Sequence, residues 1–188
     1  MTARGNVLFS SREDMCALIA PERDGATAAE WAVKLDALGL DDTDTEAIAD
    51  RVAVIEAAIA GIAEGEYPDE DTLMRSLHWI CDGRVRDALL ATALGKHAEA
   101  AENLWITLVR KAPAPELAEV ATMLAVSTYV RGDGALAHIA LDRALEADPD
   151  HALAHLFRAA LDSALPPSEF AQFLRNYSDQ TTTSATEQ

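Results

Sequence analysis

The chain of 188 residues carries a formal net charge of −17 and is 49% hydrophobic. This length and apolar content predict a single domain with one contiguous core. So acidic a surface repels phosphate groups, and we therefore expect no nucleic-acid partner. The small basic patch formed by Arg84, Arg86, Arg110 and Lys111 is expected to be a solvated face.

The sequence contains no sign of a membrane or export segment. Its longest apolar run, residues 52–63, includes Glu56 and is shorter than the roughly 20 apolar residues of a spanning helix. Residues 1–14 lack the apolar segment of a signal peptide, so we expect a cytoplasmic protein with no membrane partner. Cys16 and Cys81 form no C-x-x-C pair, which predicts two reduced, largely buried thiols.

Helix signals occur throughout the N-terminal region, residues 1–83. The first is Ser10-x-x-Glu13, which resembles a capping box at the start of a short helix that Pro21 ends. Glycines, prolines and an acidic run mark the later boundaries. The further helices are predicted over 27–38 before Gly39, from the acidic run 41–46 to 61–65, and from 68 to 81.

From residue 84 onward the pattern changes to helical hairpins. Short connections rich in Gly and Pro force consecutive helices to lie antiparallel. The predicted helices are 84–94, 96–111, 115–131, 134–147, 151–164 and 167–176. Residues 177–188 have almost nothing to bury, which predicts a disordered tail. The expected fold class is therefore all-α, with N-terminal capping helices, a repeat region over 84–176 and this tail.

Residues 118–151 resemble the tetratricopeptide (TPR) repeat, a helix–turn–helix unit of about 34 residues. Leu124 takes a hydrophobic position of the first helix, Gly132 takes the turn, and Ala137 takes a small position of the second helix. A weaker copy lies 37 residues earlier, where Gly95 corresponds to Gly132. The resemblance implies hairpins stacked as a right-handed α-solenoid, with the N-terminal helices and the helix at 167–176 as caps.

In TPR proteins the ligand groove is lined by the first helix of each unit. Carried over to this sequence, that arrangement implies a surface that we name the first-helix groove, with the lining residues Glu119, Thr122, Val126, Tyr129, Val130, Val85, Leu89 and Thr92. Its apolar and hydroxyl-bearing side chains favour a helix or an extended apolar peptide of a protein partner. A homodimer formed through the same apolar residues is the alternative.

Patterns for catalysis, cofactors and metals are weak. His151-x-x-x-His155 places two imidazoles on one helix face, but a third ligand is missing, so we expect no metal site. His151 is expected near a helix cap and His155 partly exposed. With no phosphate loop and no serine elbow, we expect no catalytic residue and no cofactor. Trp31, Trp79 and Trp105 are expected in the core.

Four segments carry a closer resemblance, namely RVRDALL (84–90), AENLWITLVRKAPAP (101–115), GDGALAHIALDRALEADPDHALA (132–154) and ALPPSEF (164–170). They resemble the C-terminal helical half of a large actinobacterial family of unknown function, whose members usually carry an α/β region upstream. Two functions follow as hypotheses. One is a non-catalytic, TPR-like interaction module that binds a protein or peptide, and the alternative is a regulatory or substrate-presenting part of a larger enzyme.

Overall fold

The computed structural model describes residues 11–22, 25–41 and 47–186. Across this part of the chain the regular structure is helical and no strand occurs, which confirms the all-α class. The elements are α1 (Arg12–Leu18), α2 (Gly25–Asp41), α3 (Ile48–Glu64), α4 (Glu70–Ile80), α5 (Gly83–Leu89), a 3-10 segment (Leu90–Leu94), α6 (Ala98–Lys111), α7 (Leu117–Arg131), α8 (Gly134–Ala147), α9 (Ala152–Asp162) and α10 (Pro167–Thr186). No described helix is both long and apolar enough to cross a membrane.

Side-chain caps fix several helix starts. Asp69, Asp82 and Asp133 each accept a hydrogen bond from a first-turn amide of the following helix, at 2.8, 2.9 and 3.0 Å. These bonds satisfy amides that have no partner within their own helix. At α1 the cap is Ser11, which accepts from a first-turn amide at 3.2 Å. The predicted cap residue, Ser10, lies outside the described residues.

Two helix boundaries inside the bundle differ from the prediction. The helix predicted over 84–94 ends at Leu89 and continues as the 3-10 segment, where the Thr92 hydroxyl donates to the Leu89 carbonyl at 2.6 Å. α2 passes through Gly39, the predicted stop, and ends at Asp41. An isolated glycine inside a helix costs only about 1 kcal/mol, so it does not by itself end one.

The C-terminal helix also differs from the prediction. α10 continues to Thr186, beyond position 176, so the segment predicted to be disordered is helical up to that residue. No glycine or proline follows Pro167 in the sequence, and a helix without such a signal has no local reason to stop. Most of the acidic run predicted to open α3, residues 42–46, lies outside the described residues.

α7 lies at the centre of the fold. It packs most extensively against α8, its partner in the predicted hairpin, and also contacts α4, α6, the 3-10 segment, α9 and α10. Trp31, Trp79 and Trp105 are buried, which confirms their predicted place in the core. Other contacts join elements that are distant in sequence, such as α1 with α8 and α10 with α5. An ideal solenoid unit contacts its neighbours alone, so these helices form a more closed bundle.

Candidate functional site

The residues predicted to line the first-helix groove lie on three elements, α5, the 3-10 segment and α7. The buried ones, none more than 8% exposed, are Val85, Leu89, Thr122, Val126 and Tyr129. The partly buried ones are Thr92, Glu119 and Val130. All of the residues predicted to line the first-helix groove are therefore buried or partly buried in this structure.

One of the helices that enclose the groove elements is α10. This helix packs against α7, the 3-10 segment and α5, the same three elements that carry the first-helix groove. Among its described side chains, Phe170, Ala171 and Leu174 are buried. Phe170 and Leu174 are separated by about one helical turn, so they form a single apolar stripe on one face of α10.

Phe170 makes the best-defined contacts between α10 and the bundle. Its ring lies edge-on to Tyr129 of α7 at a centroid distance of 5.1 Å, and to Phe157 of α9 at 5.4 Å. Edge-on packing of this kind stabilises aromatic pairs. The Tyr129 hydroxyl also donates to the Leu165 carbonyl, just before α10 begins. Tyr129 therefore contacts both the segment just before α10 and the first buried side chain of α10.

The sequence of α7 explains why it is enclosed. The segment LAEVATMLAVSTYVR is apolar around most of its circumference, and such a helix must be covered on nearly every side. Its buried threonines satisfy their own hydroxyls. Thr122 donates to the Ala118 carbonyl at 2.7 Å and Thr128 to the Leu124 carbonyl at 2.9 Å. α10 supplies part of the cover that this sequence requires.

A charged cluster joins α5, α7 and the start of α9. The Glu119 carboxylate accepts from Arg86 at 3.0 Å and lies 3.1 Å from Nε2 of His151. Arg86 also pairs with Asp87 at 2.8 Å. Each of these side chains is at most 18% exposed. The prediction that Arg86 belongs to a solvated basic face is therefore wrong, because the structure places it in this enclosed cluster.

Hydrogen bonding decides the charge state of the cluster. Burial opposes ionisation of Glu119, but hydrogen bonds from His151 and Arg86 outweigh it, so the pKa of this carboxyl lies below its ordinary value. Burial likewise opposes the charge of Arg86, and its bonds to Glu119 and Asp87 outweigh that effect and raise the pKa of the guanidinium. Both groups are therefore charged near neutral pH and bind α5 to α7.

His151 has both ring nitrogens engaged. Nδ1 accepts from the Ala154 amide at 3.1 Å and so caps α9, while Nε2 faces Glu119. Because Nδ1 accepts, the ring proton lies on Nε2 and is donated to the carboxylate. His151 thus lies at a helix cap, as the sequence predicts, and has no nitrogen free for proton transfer or metal binding. His155 is exposed and lies 2.7 Å from the Pro149 carbonyl.

The two cysteines lie apart from the charged cluster's hydrogen bonds. Cys16 and Cys81 are both exposed, so the prediction of largely buried thiols is wrong. Although Cys81 reaches the surface, desolvation of its sulfur, with the charges of Glu119 and Glu116, raises the pKa of the thiol to about 12. A thiol with so high a pKa is a poor nucleophile. Within the same residues no group of three or more His, Cys, Asp or Glu side chains is placed to hold a metal ion.

A second apolar surface lies between α3 and α4. It is an open depression of about 350 Å³, and the apolar residues among its lining include Val54, Ala57, Tyr67 and Pro68. Tyr67 is 80% exposed. The depression shares no residue with the first-helix groove.

Sequence reasoning missed the packing of α10 against the elements that carry the groove residues. The helix over 167–176 was predicted to be a cap for the last hairpin, whereas α10 returns across α5 and α7. The available signal was the spacing of Phe170, Ala171 and Leu174, which is an apolar stripe on an otherwise polar helix. Such a stripe predicts that a helix packs against something but does not identify the surface.

One family model spans both the N-terminal helices and the hairpins. The chain matches the family described as a domain of unknown function, DUF4192, over residues 1–168. Searches of curated proteins and of solved structures gave no match. Since the matched region covers well over half of the 188 residues, the chain belongs to the DUF4192 family of domains of unknown function.

Proposed function

We propose that the chain is a non-catalytic, TPR-like interaction module whose first-helix groove binds an amphipathic helix of a protein partner. The observation that supports this most directly is the position of α10. A helix with an apolar stripe lies on the three elements to which the TPR resemblance assigns the groove. Binding of a helix by its apolar face in a groove is a common mode of protein recognition.

The position of α10 also indicates which side chains a partner helix would carry. An aromatic side chain would take the place of Phe170 between Tyr129 and Phe157, where edge-on contacts stabilise an aromatic ring. An aliphatic side chain one turn later would take the place of Leu174, which is 1% exposed. Partner recognition would therefore depend on an aromatic residue and an aliphatic residue spaced i and i+4.

A partner helix must compete with α10. Because α10 is covalently attached, it is present at a high effective concentration and lowers the apparent affinity for any helix added in solution. Weakening α10 should therefore strengthen binding of a partner. Substitutions within α7 do not test this, since Val126 is 2% exposed and a charge placed there would disrupt the core.

The test uses a fluorescent peptide of residues 166–186, titrated against the full chain and followed by fluorescence anisotropy. The acceptor is the Phe170→Leu variant, which keeps a buried aliphatic group but loses the ring contacts with Tyr129 and Phe157. Aromatic pairs contribute about 0.5–1.5 kcal/mol each beyond burial, so we expect the peptide to bind this variant about tenfold more tightly than it binds the unaltered chain.

Phe173→Leu is the matched control, because Phe173 lies on the same helix but is 43% exposed. That variant should bind the peptide as weakly as the unaltered chain does. Capture of proteins from an extract of the source organism should follow the same order. A peptide that binds neither variant, or that binds both equally, would contradict the proposal.

A further inference from the structure

The connection that leads into α10 is short and strained. After α9, the Ala164 amide donates to the Leu161 carbonyl at 2.9 Å and the Leu165 amide donates to the Ala160 carbonyl at 3.3 Å. This pair of bonds is the Schellman ending of a helix, which requires a left-handed residue. Ala164 takes that position with φ of 53° and is the only non-glycine residue with positive φ in the described part of the chain. Alanine is strained in this conformation.

Two prolines follow, and they leave few backbone groups to bind α10 to the bundle. Pro166 and Pro167 have no N–H group and hold their φ angles near a fixed value. The attachment of α10 to the bundle therefore depends on its buried side chains, chiefly Phe170 and Leu174. A short hinge under strain, attached to a separable element, is the arrangement that invites domain swapping.

We propose that α10 exchanges between two copies of the chain, so that each α10 leaves its own first-helix groove and fills the groove of the other copy in a reciprocal dimer. This inference rests on the proposed function, since the groove must accept a helix from another molecule. The occupant here is α10 itself, whose apolar stripe already fits the groove.

The exchange keeps the contacts of α10 and changes the hinge. Each groove ends with the same helix, so the burial of Phe170 and Leu174 is conserved. Opening the hinge lets Ala164 leave the left-handed region, and this relieves strain at both hinges of the dimer. Loss of the two Schellman hydrogen bonds at each hinge, loss of freedom on association and repulsion between two chains of charge −17 oppose the exchange. Salt screens the repulsion, so the dimer fraction should rise with protein and with salt concentration.

Size-exclusion chromatography with light scattering on the full chain tests the exchange. We expect a monomer and a dimer that interconvert slowly. Ala164→Gly removes the strain from the closed hinge and should raise the dimer dissociation constant at least about tenfold, because two hinges contribute. Tyr67→Ser, which alters the exposed depression between α3 and α4, should leave that constant unchanged.

The outcomes separate the exchange from the proposed function. A chain that stays monomeric at every protein and salt concentration, while the 166–186 peptide binds Phe170→Leu, overturns the exchange and leaves the groove as a helix-binding site. A peptide that binds neither variant overturns both. A dimer that Tyr67→Ser abolishes and Ala164→Gly does not weaken forms through the depression, which also overturns the exchange.

Discussion

The turn between α7 and α8 and the turn between α9 and α10 share one backbone pattern but lead to different packing. In each turn a left-handed residue and the residue after it donate to carbonyls of the preceding helix. After α7 the left-handed residue is Gly132, with φ of 95°, and after α9 it is Ala164, with φ of 53°. α8 returns along α7 in a hairpin, whereas α10 crosses to α5, the 3-10 segment and α7.

The difference indicates which junction is fixed and which can open. At the first turn the glycine is unstrained and Asp133 caps α8 at once, so the hairpin is stable as a local unit. At the second turn the alanine is strained. The two prolines that follow provide no N–H group, so the first backbone N–H of α10 belongs to Ser168. α10 is therefore held mainly by side chains distant from its turn, whereas the start of α8 is fixed within its own turn.

Phe170→Ala should have the largest effect. Phe170 is 1% exposed and packs between Tyr129 and Phe157, and truncating a buried phenyl ring costs about 3–5 kcal/mol. We expect urea denaturation to show a loss of up to that amount, with α10 detaching before the α7–α8 hairpin unfolds. Phe173→Ala, at a position 43% exposed, should cost less than about 1 kcal/mol. Equal losses would mean that α10 is not held through Phe170.

His151 tests the start of the helix that precedes the strained turn. His151→Ala removes the cap of α9 and the hydrogen bond to Glu119, for an expected loss of about 2–3 kcal/mol by chemical denaturation. His151→Asn keeps a short acceptor for the cap but does not reach the carboxylate. It should recover about 1 kcal/mol of the loss. If both variants are equally unstable, the cap contributes nothing and the bond to Glu119 accounts for the effect.

The hairpin could be predicted from the sequence because its determinants are local. The Gly132-Asp133 turn and the small residue Ala137 lie within a few positions of one another, and the structure places helices on both sides of them. The TPR resemblance also assigned the groove to α5, the 3-10 segment and α7. It could not show that these elements are covered, because the cover depends on contacts between Phe170 and Tyr129 that no local pattern records.

The charged cluster could not be predicted for the same reason. Arg86, Glu119 and His151 come from three elements. From the local sequence, Arg86 resembles a surface cation, Glu119 a groove carboxylate and His151 a residue near a helix cap. Only the packing of α5 and α9 against α7 brings them within hydrogen-bond distance. The cap at His151 was the local part of the cluster, and it was the part that the sequence predicted.

Gly132→Ala should destabilise the first turn. A Cβ at this position would meet no atom within 4 Å, so the cost comes from the left-handed backbone alone. That strain is about 1–2 kcal/mol, and the stiffer unfolded chain returns about 0.4–1 kcal/mol, for a net loss near 1 kcal/mol in urea denaturation. An unchanged stability would show that the turn tolerates alanine and that the two junctions do not differ in the proposed way.

Ala164→Gly is the reverse substitution at the second turn, and it should act in the opposite direction. Relief of about 1–2 kcal/mol of strain, reduced by the greater entropy of the unfolded chain, leaves a gain of up to about 1 kcal/mol. The gain applies only to the monomer whose α10 lies in its own groove, because Ala164 is left-handed there. The variant should therefore unfold at a higher urea concentration and also form less of the exchanged dimer. A loss of stability would mean that Ala164 is held without strain. The hinge would then have no conformational reason to open, and α10 would be as permanent a part of the bundle as α8.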